Sequence, residues 1–173
     1  MDRAYNFNAG PSAMPLEVLK EAQAEFLDFQ NTGMSVIEIS HRSAEYSALH
    51  QETKALLREL MEIPEDYEVL FCQGGGSTQF LMVAANFFTK ARAAYVNTGV
   101  WAGKALKEAQ FFGEAYEAAS SADKNHSYIP QEFTILPDTS YVHLTANNTI
   151  YGTKYKKLPN TKGKPLVADL SSC

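Results

Sequence analysis

Residues 68–88 read EVLFCQGGGSTQFLMVAANFF, and the fold is decided there. Val69, Leu70, Phe71 and Cys72 form a short apolar run ended by three glycines, and beyond them Phe80, Val83, Ala84, Phe87 and Phe88 recur at helical spacing. The pattern predicts a strand, a tight loop and a helix. Gly74, Gly75 and Gly76 allow positive φ and the close approach of a ligand, while Ser77 and Thr78 place hydroxyls where a new helix exposes unpaired N–H groups. Such a place suits a phosphate. It equally suits a turn capped by Ser77 or Thr78 with no ligand. A Walker phosphate loop is excluded, because Gln79 follows Thr78 and no lysine appears until Lys90. The dinucleotide fingerprint G-x-G-x-x-G is also absent from this stretch.

Upstream, Leu16, Leu19, Ala22, Phe26 and Phe29 mark one face of a helix that Asn31 to Gly33 stop, and Ala44 to Met61 form a second amphipathic helix closed by Pro64. Between them lies MSVIEISHRS (34–43), with His41 and Arg42 flanked by Ser40 and Ser43. Downstream, strands are expected at Ala93 to Asn97, near Ala115 to Ala118, at Tyr141 to Thr145 and at Pro165 to Leu170, with a helix from Trp101 to Phe112. Strands alternating with helices predict an α/β fold with a mainly parallel sheet and flanking helices. Ligands of such sheets bind at the carboxyl ends of the strands. Gly74 to Thr78, Thr98 to Trp101, Asn147 to Thr153 and Asp169 to Ser172 all follow inferred strands, so one shared site is the economical reading.

Composition narrows the function classes. The chain has 173 residues, 45% hydrophobic, enough to bury a core, and its net charge of −5 comes without a long run of one sign. A nucleic-acid or anionic-membrane surface is therefore not expected as the main function. No apolar run has the length of a membrane span and the N-terminus lacks a signal-peptide core, which leads to the expectation of a cytoplasmic protein. Cys72 and Cys173 read as free thiols, Cys72 inside the inferred strand. The four histidines, His41, His50, His126 and His143, are scattered without metal-ligand spacing.

The polar residues at the inferred strand ends each allow an ordinary and a functional reading. Trp101 is either core packing at a helix start or an indole stacked on a planar ring. Asp169, in an otherwise apolar run, needs a partner: a helix cap shared with Ser171 and Ser172, or a protonated heterocyclic nitrogen. Asn148 and Thr149 either shape a turn or donate to a phenolic oxygen. His41 and Arg42 are a solvated pair or an anion-recognition patch. Together, a phosphate cradle, an indole, a hydroxyl and a carboxylate describe a pocket for a phosphorylated pyridine, pyridoxal 5′-phosphate (PLP).

The chain resembles the N-terminal part of the phosphoserine aminotransferases, PLP enzymes of the aspartate aminotransferase fold (fold type I). The similarity is carried by NFNAGPSAMP (6–15), MSVIEISHRS (34–43), VLFCQGGGSTQF (69–80), NTGVW (97–101), NNTIYGT (147–153) and VADLSS (167–172), in family order. It implies that Gly76 and Ser77, with Gly75 and Thr78, bind the cofactor phosphate, that Trp101 stacks on the pyridine and that Thr149 bonds its phenolic oxygen. It further implies that Asp169 pairs with the pyridine nitrogen, and that His41 and Arg42 bind the substrate phosphate, often across the interface of a homodimer. Some relatives carry an arginine where Ser77 stands.

The reaction implied is amino transfer between glutamate and 3-phosphohydroxypyruvate, giving phosphoserine and 2-oxoglutarate in serine biosynthesis. The family's Schiff-base lysine follows the Asp-x-Ser-Ser stretch and is expected beyond Cys173, so no residue within the 173 is assigned as catalytic. Residues 1–15 are expected to pack on a small domain, and 16–173 to form the N-terminal part of an incomplete PLP-binding large domain with uncovered apolar faces. The competing expectation is a non-catalytic module that binds PLP or a phosphorylated metabolite, or that serves dimerisation.

Overall fold

The computed structural model describes residues 3–8 and 10–173; Met1, Asp2 and Ala9, which belong to the expected N-terminal segment 1–15, lie outside the described residues. The chain divides into two compact units, Met1–Leu70 and Phe71–Cys173.

The first unit holds α1 (Leu16–Ala24) and α2 (Ala44–Leu60). α2 starts where Ser43 Oγ accepts from the Tyr46 N–H at 3.2 Å, an N-cap of the ordinary kind. At its far end, Lys54 and Arg58 both pair with Glu68, and Arg58 Nη1 donates to the Pro64 carbonyl at 3.0 Å, so the chain after the helix folds back on it. α1 is shorter than its apolar face predicts and ends before Phe26 and Phe29. The reason is local: Asp28 Oδ1 accepts from the Gly33 N–H at 2.7 Å, and the Phe29 N–H turns to the Met34 carbonyl at 2.8 Å. A short acceptor side chain thus offers the backbone an alternative to the next helical turn, and Phe29 is buried in a single 3₁₀ turn instead.

In the second unit, α3 (Gly75–Phe87) leads into β1 (Arg92–Asn97), α4 (Val100–Ala109), β2 (Glu114–Ser120), β3 (Thr139–Thr145) and β6 (Leu166–Asp169). The four strands form one parallel sheet in the order β2-β1-β3-β6. Two short strands, β4 (Asn147–Asn148) and β5 (Thr153–Lys154), make an antiparallel hairpin just beyond β3, in a stretch that sequence alone reads as loop.

Alternation along the strands sorts the core into two layers. Ala93 and Tyr95 of β1, Tyr141 of β3 and Val167 of β6 face Phe80 and Ala84 of α3 and Ala105 and Ala109 of α4. Alanines at half of these positions let the helices lie close to the sheet. On the opposite face Ala94, Val96 and Val142 are covered by Phe133 and Ile135 from the segment preceding β3. The Tyr95 and Tyr141 hydroxyls, both buried, meet at 2.7 Å and satisfy one another.

The predicted strand at Val69 to Cys72 does not form. No β-ladder among the described residues includes these positions, and Leu70 and Phe71 are 72% and 56% exposed. Strand structure is a property of a pair, and an apolar run outside any β-ladder takes no strand structure however suitable its residues. Cys72 is accordingly exposed rather than buried. Large apolar side chains also stand exposed on both units, among them Leu60 of α2, Phe87 of α3 and Phe111 after α4. Among the described residues, no helix is long and apolar enough to cross a membrane.

Candidate active site

At the carboxyl end of the parallel sheet, hydrogen bonds tie the strand-end loops together. Asn148 Nδ2 donates to Thr98 Oγ1 at 3.0 Å, joining the loop after β3 to the loop after β1. The Ala146 N–H donates to the Asp169 carbonyl at 2.9 Å, and Asn147 Nδ2 to the Ser172 carbonyl at 2.9 Å, joining β3 to the end of β6. Gly99 permits this closeness: at φ 152° it adopts a conformation that side chains disfavour, and a Cβ there would stand 2.8 Å from Asn148 Oδ1 and from the Tyr151 ring.

The glycine loop reaches the same end. Gly74 adopts a left-handed conformation, and α3 begins after it with no side chain capping its N-terminus. Ser77 and Thr78 lie inside the helix and do not cap it; Gly74 stands at the cap position. Gly75, Gly76, Ser77 and Thr78 form the first turn of α3, where the helix dipole favours an anion. Gly76 lies beside the end of β6, so that a Cβ on it would come within 3.3 Å of Ser171 Oγ.

Asp169 ends β6 with its carboxylate already oriented. Ser171 donates to Oδ1 twice, from the backbone N–H at 3.0 Å and from the hydroxyl at 2.6 Å. Neither of these two bonds uses Oδ2. Gly76, Asp169 and Ser171 line a cavity of about 240 Å³ together with Phe80, Val83 and His143.

Trp101 occupies the first turn of α4, half-buried, with its ring against the core cluster and Lys104 Nζ 4.4 Å from the ring centroid. Thr149 sits exposed at the tip of the β4–β5 hairpin. The structure thus brings Gly76 and Asp169 to one cavity, and puts Trp101 in the first turn of α4 and Thr149 on the hairpin that Asn148 ties to Thr98. His41 and Arg42 belong to the first unit, exposed in the turn before α2, where the Arg42 N–H donates to Ser40 Oγ at 3.2 Å.

Sequence reading gives Ser171 only as a member of the Asp169 to Ser172 stretch and as a helix-cap alternative, and His143 only as one of four scattered histidines. The signal for His143 is its position in alternation with Tyr141 on a strand whose every residue is buried. Burial pushes its imidazole down to about 4, partly opposed by the nearby Asp169 carboxylate.

The donor set fits PLP: an uncapped helix start with glycines for the phosphate, an indole, a hydroxyl, and a carboxylate with one oxygen unengaged by the serine that orients it.

Comparison with known proteins is consistent with that chemistry. The family model for class-V aminotransferases matches residues 4–163. The chain is 55% identical to the phosphoserine aminotransferase of Bacillus subtilis strain 168, over 99% of this chain and 48% of that protein. The solved phosphoserine aminotransferase from Bacillus circulans subsp. alkalophilus superposes with a TM-score of 0.91 at 52% identity, over 96% of this chain and 47% of that one. The PLP-bound enzyme from Trichomonas vaginalis superposes with a TM-score of 0.89 at 34% identity, over 96% of this chain and 47% of that one. The chain thus spans about half the length of the relatives it matches.

Proposed function

Because the chain belongs to the class-V aminotransferases, we propose that it forms the N-terminal half of a PLP-dependent phosphoserine aminotransferase, a cytoplasmic homodimer of serine biosynthesis. Its reaction moves an amino group between glutamate and 3-phosphohydroxypyruvate. The observation that carries this reading is the meeting of Gly76, Asp169 and Ser171 at one cavity at the end of the sheet. Similarity to phosphoserine aminotransferases over nearly the whole chain supports it.

PLP, when bound, supplies a pyridinium ring that takes up electron density from the substrate's α-carbon. The chain's own residues supply the setting. The first turn of α3, Gly75 to Thr78, holds the phosphate with backbone N–H groups and two hydroxyls. Trp101 fixes the ring plane by stacking, and Thr149 donates to the phenolic oxygen. Asp169, oriented by Ser171, would pair with the pyridine nitrogen and keep it protonated. His41 and Arg42 bind the substrate phosphate, Arg42 through its guanidinium fork. The lysine that bonds PLP covalently and moves the substrate proton is assigned to sequence following Cys173.

The test is borohydride reduction of the full-length protein with PLP, followed by peptide mapping. One labelled lysine, C-terminal to Cys173, and phosphoserine-dependent formation of glutamate from 2-oxoglutarate are expected. PLP binding without a reducible lysine would instead identify a non-catalytic binding module.

A further inference from the structure

Asn148 and Thr98 are 1% and 0% exposed, and the bond between their side chains, Nδ2 to Oγ1 at 3.0 Å, crosses from the β4–β5 hairpin to the turn after β1. That turn leads directly into Trp101 at the start of α4. Asn148 is followed by Thr149, carried on a tight turn that the Gly152 N–H closes on the Asn148 carbonyl at 2.8 Å. A buried bond therefore lies beside Thr149 in one loop and just before Trp101 in the other. The amide is wedged as well as bonded: a Cβ on Gly99 would stand 2.8 Å from its Oδ1 and from the Tyr151 ring, so the hairpin rests on the turn at two points. The His126 ring, from the loop after β2, backs Tyr151 with centroids 4.9 Å apart. Asn148 Oδ1 is buried and has no hydrogen-bond partner among the described residues. An apolar pair of the same shape would avoid that cost, so stability alone does not call for an amide and a hydroxyl here.

We propose that Asn148 and Thr98 are positioning residues, whose bond sets the Thr149 hydroxyl at a fixed place relative to the Trp101 indole before any ligand arrives. The inference rests on the reading of Trp101 and Thr149 as contacts of PLP, and names what places them. The two stand on separate loops, after β1 and after β3, and the hairpin that carries Thr149 has strands of only two residues each. A ribbon that short has little stability of its own. Tied to the turn after β1 by a directional bond, it is ordered in the free protein, and cofactor binding does not have to order it.

The experiment measures PLP affinity of the full-length protein in a double-mutant cycle of Thr98→Val and Thr149→Val, with urea unfolding of each variant. Thr98→Val keeps the shape of the side chain and removes the bond, while Thr149→Val removes the hydroxyl offered to the ring. Each single substitution is expected to weaken binding roughly tenfold, and the double variant to fall well short of the product of the two, since a hydroxyl no longer held in place has little left to lose. Thr98→Ser, which keeps the hydroxyl, is expected to bind PLP as the wild type does. Losses that multiply in full, or a Thr98→Val that loses stability and keeps its affinity, would overturn the proposal and leave the bond as hairpin packing. An unchanged affinity in Thr149→Val would instead sink the reading of Thr149 as a cofactor contact, and the positioning role with it. Should Thr98→Val not fold, because Asn148 Nδ2 is left buried and unpaired, Thr98→Ala takes its place in the cycle, the vacated space admitting a water to that group, and the same outcomes decide.

Discussion

Ser171 gives both its backbone N–H and its hydroxyl to a single oxygen of Asp169, at 3.0 and 2.6 Å. A short polar loop residue thereby fixes the rotation of a carboxylate at a strand end, where backbone alone would leave it free. Cofactor binding gains because that orientation exists before any ligand arrives.

Ser171→Ala is therefore expected to weaken PLP binding about tenfold, the value of one charge-assisted hydrogen bond at a partly solvated site. The backbone N–H remains in the variant, so the loss stays smaller than that of Asp169→Ala. Spectrophotometric titration of the purified full-length protein measures both. An unchanged affinity in Ser171→Ala would mean that the carboxylate is oriented by something else.

Two glycines at the same sheet end are expected to fail in different ways. Gly99→Ala forces a Cβ to 2.8 Å from Asn148 Oδ1 and the Tyr151 ring at φ 152°, and should cost roughly 1–3 kcal/mol of stability in urea unfolding. Gly76→Ala lies in a helical turn, and its Cβ would meet only Ser171 Oγ at 3.3 Å. Its stability should stay within about 1 kcal/mol of wild type, since alanine is the better helix former, while PLP affinity falls. Loss of folding in Gly76→Ala would show that the position is structural first.

The fold was legible wherever the pattern depends on local chemistry. Alternation and helical spacing locate β1, β3, β6, α2 and α4 within a few residues, because each has its own apolar face and its own stop signal. Val69 to Cys72 has the right residues for a strand and forms none, because pairing depends on a neighbour that composition does not reveal. α1 stops early for a reason one level finer, the Asp28 side chain bonding to Gly33. The glycine loop and Asp169 were legible as candidates because each departs from its surroundings, and the structure brings Gly76 and Asp169 to one cavity. Ser171 and His143 were not, since a serine after an aspartate and a histidine in a strand are ordinary until the hydrogen bonds and the buried, unpaired Nδ1 are seen.

The buried imidazole of His143 gives the protein an acid-sensitive limb. Its folded value of about 4 lies below the ordinary 6.5, so the unfolded chain binds the proton more readily. The contribution to stability is full above about pH 6.5, declines as pH falls toward 4 and levels off below that. A shift of this size corresponds to something on the order of 3 kcal/mol. Urea unfolding between pH 7.5 and 4.5 should show the decline, and His143→Gln should flatten it. A wild-type slope that persists unchanged in the variant would assign the acid sensitivity to other groups.

The hydroxyl pair of Tyr95 and Tyr141 allows a double-mutant cycle in the core. Both side chains are almost wholly buried, at 1% and 0% exposure, and the contact spans β1 and β3, the two central strands of the sheet. Burial raises the titration of both phenols, so each stays protonated and the pair has one donor for one acceptor at any pH the fold survives. Tyr141→Phe leaves the Tyr95 hydroxyl buried with its partner gone, and should cost about 1–3 kcal/mol. Tyr95→Phe leaves the mirror situation and should cost a similar amount. The double variant removes both polar groups and keeps both rings, whose edge-on contact at 5.9 Å is unaffected, so its cost should fall well below the sum of the two. Additive losses would mean that each hydroxyl has a partner of its own and that the pair is not coupled.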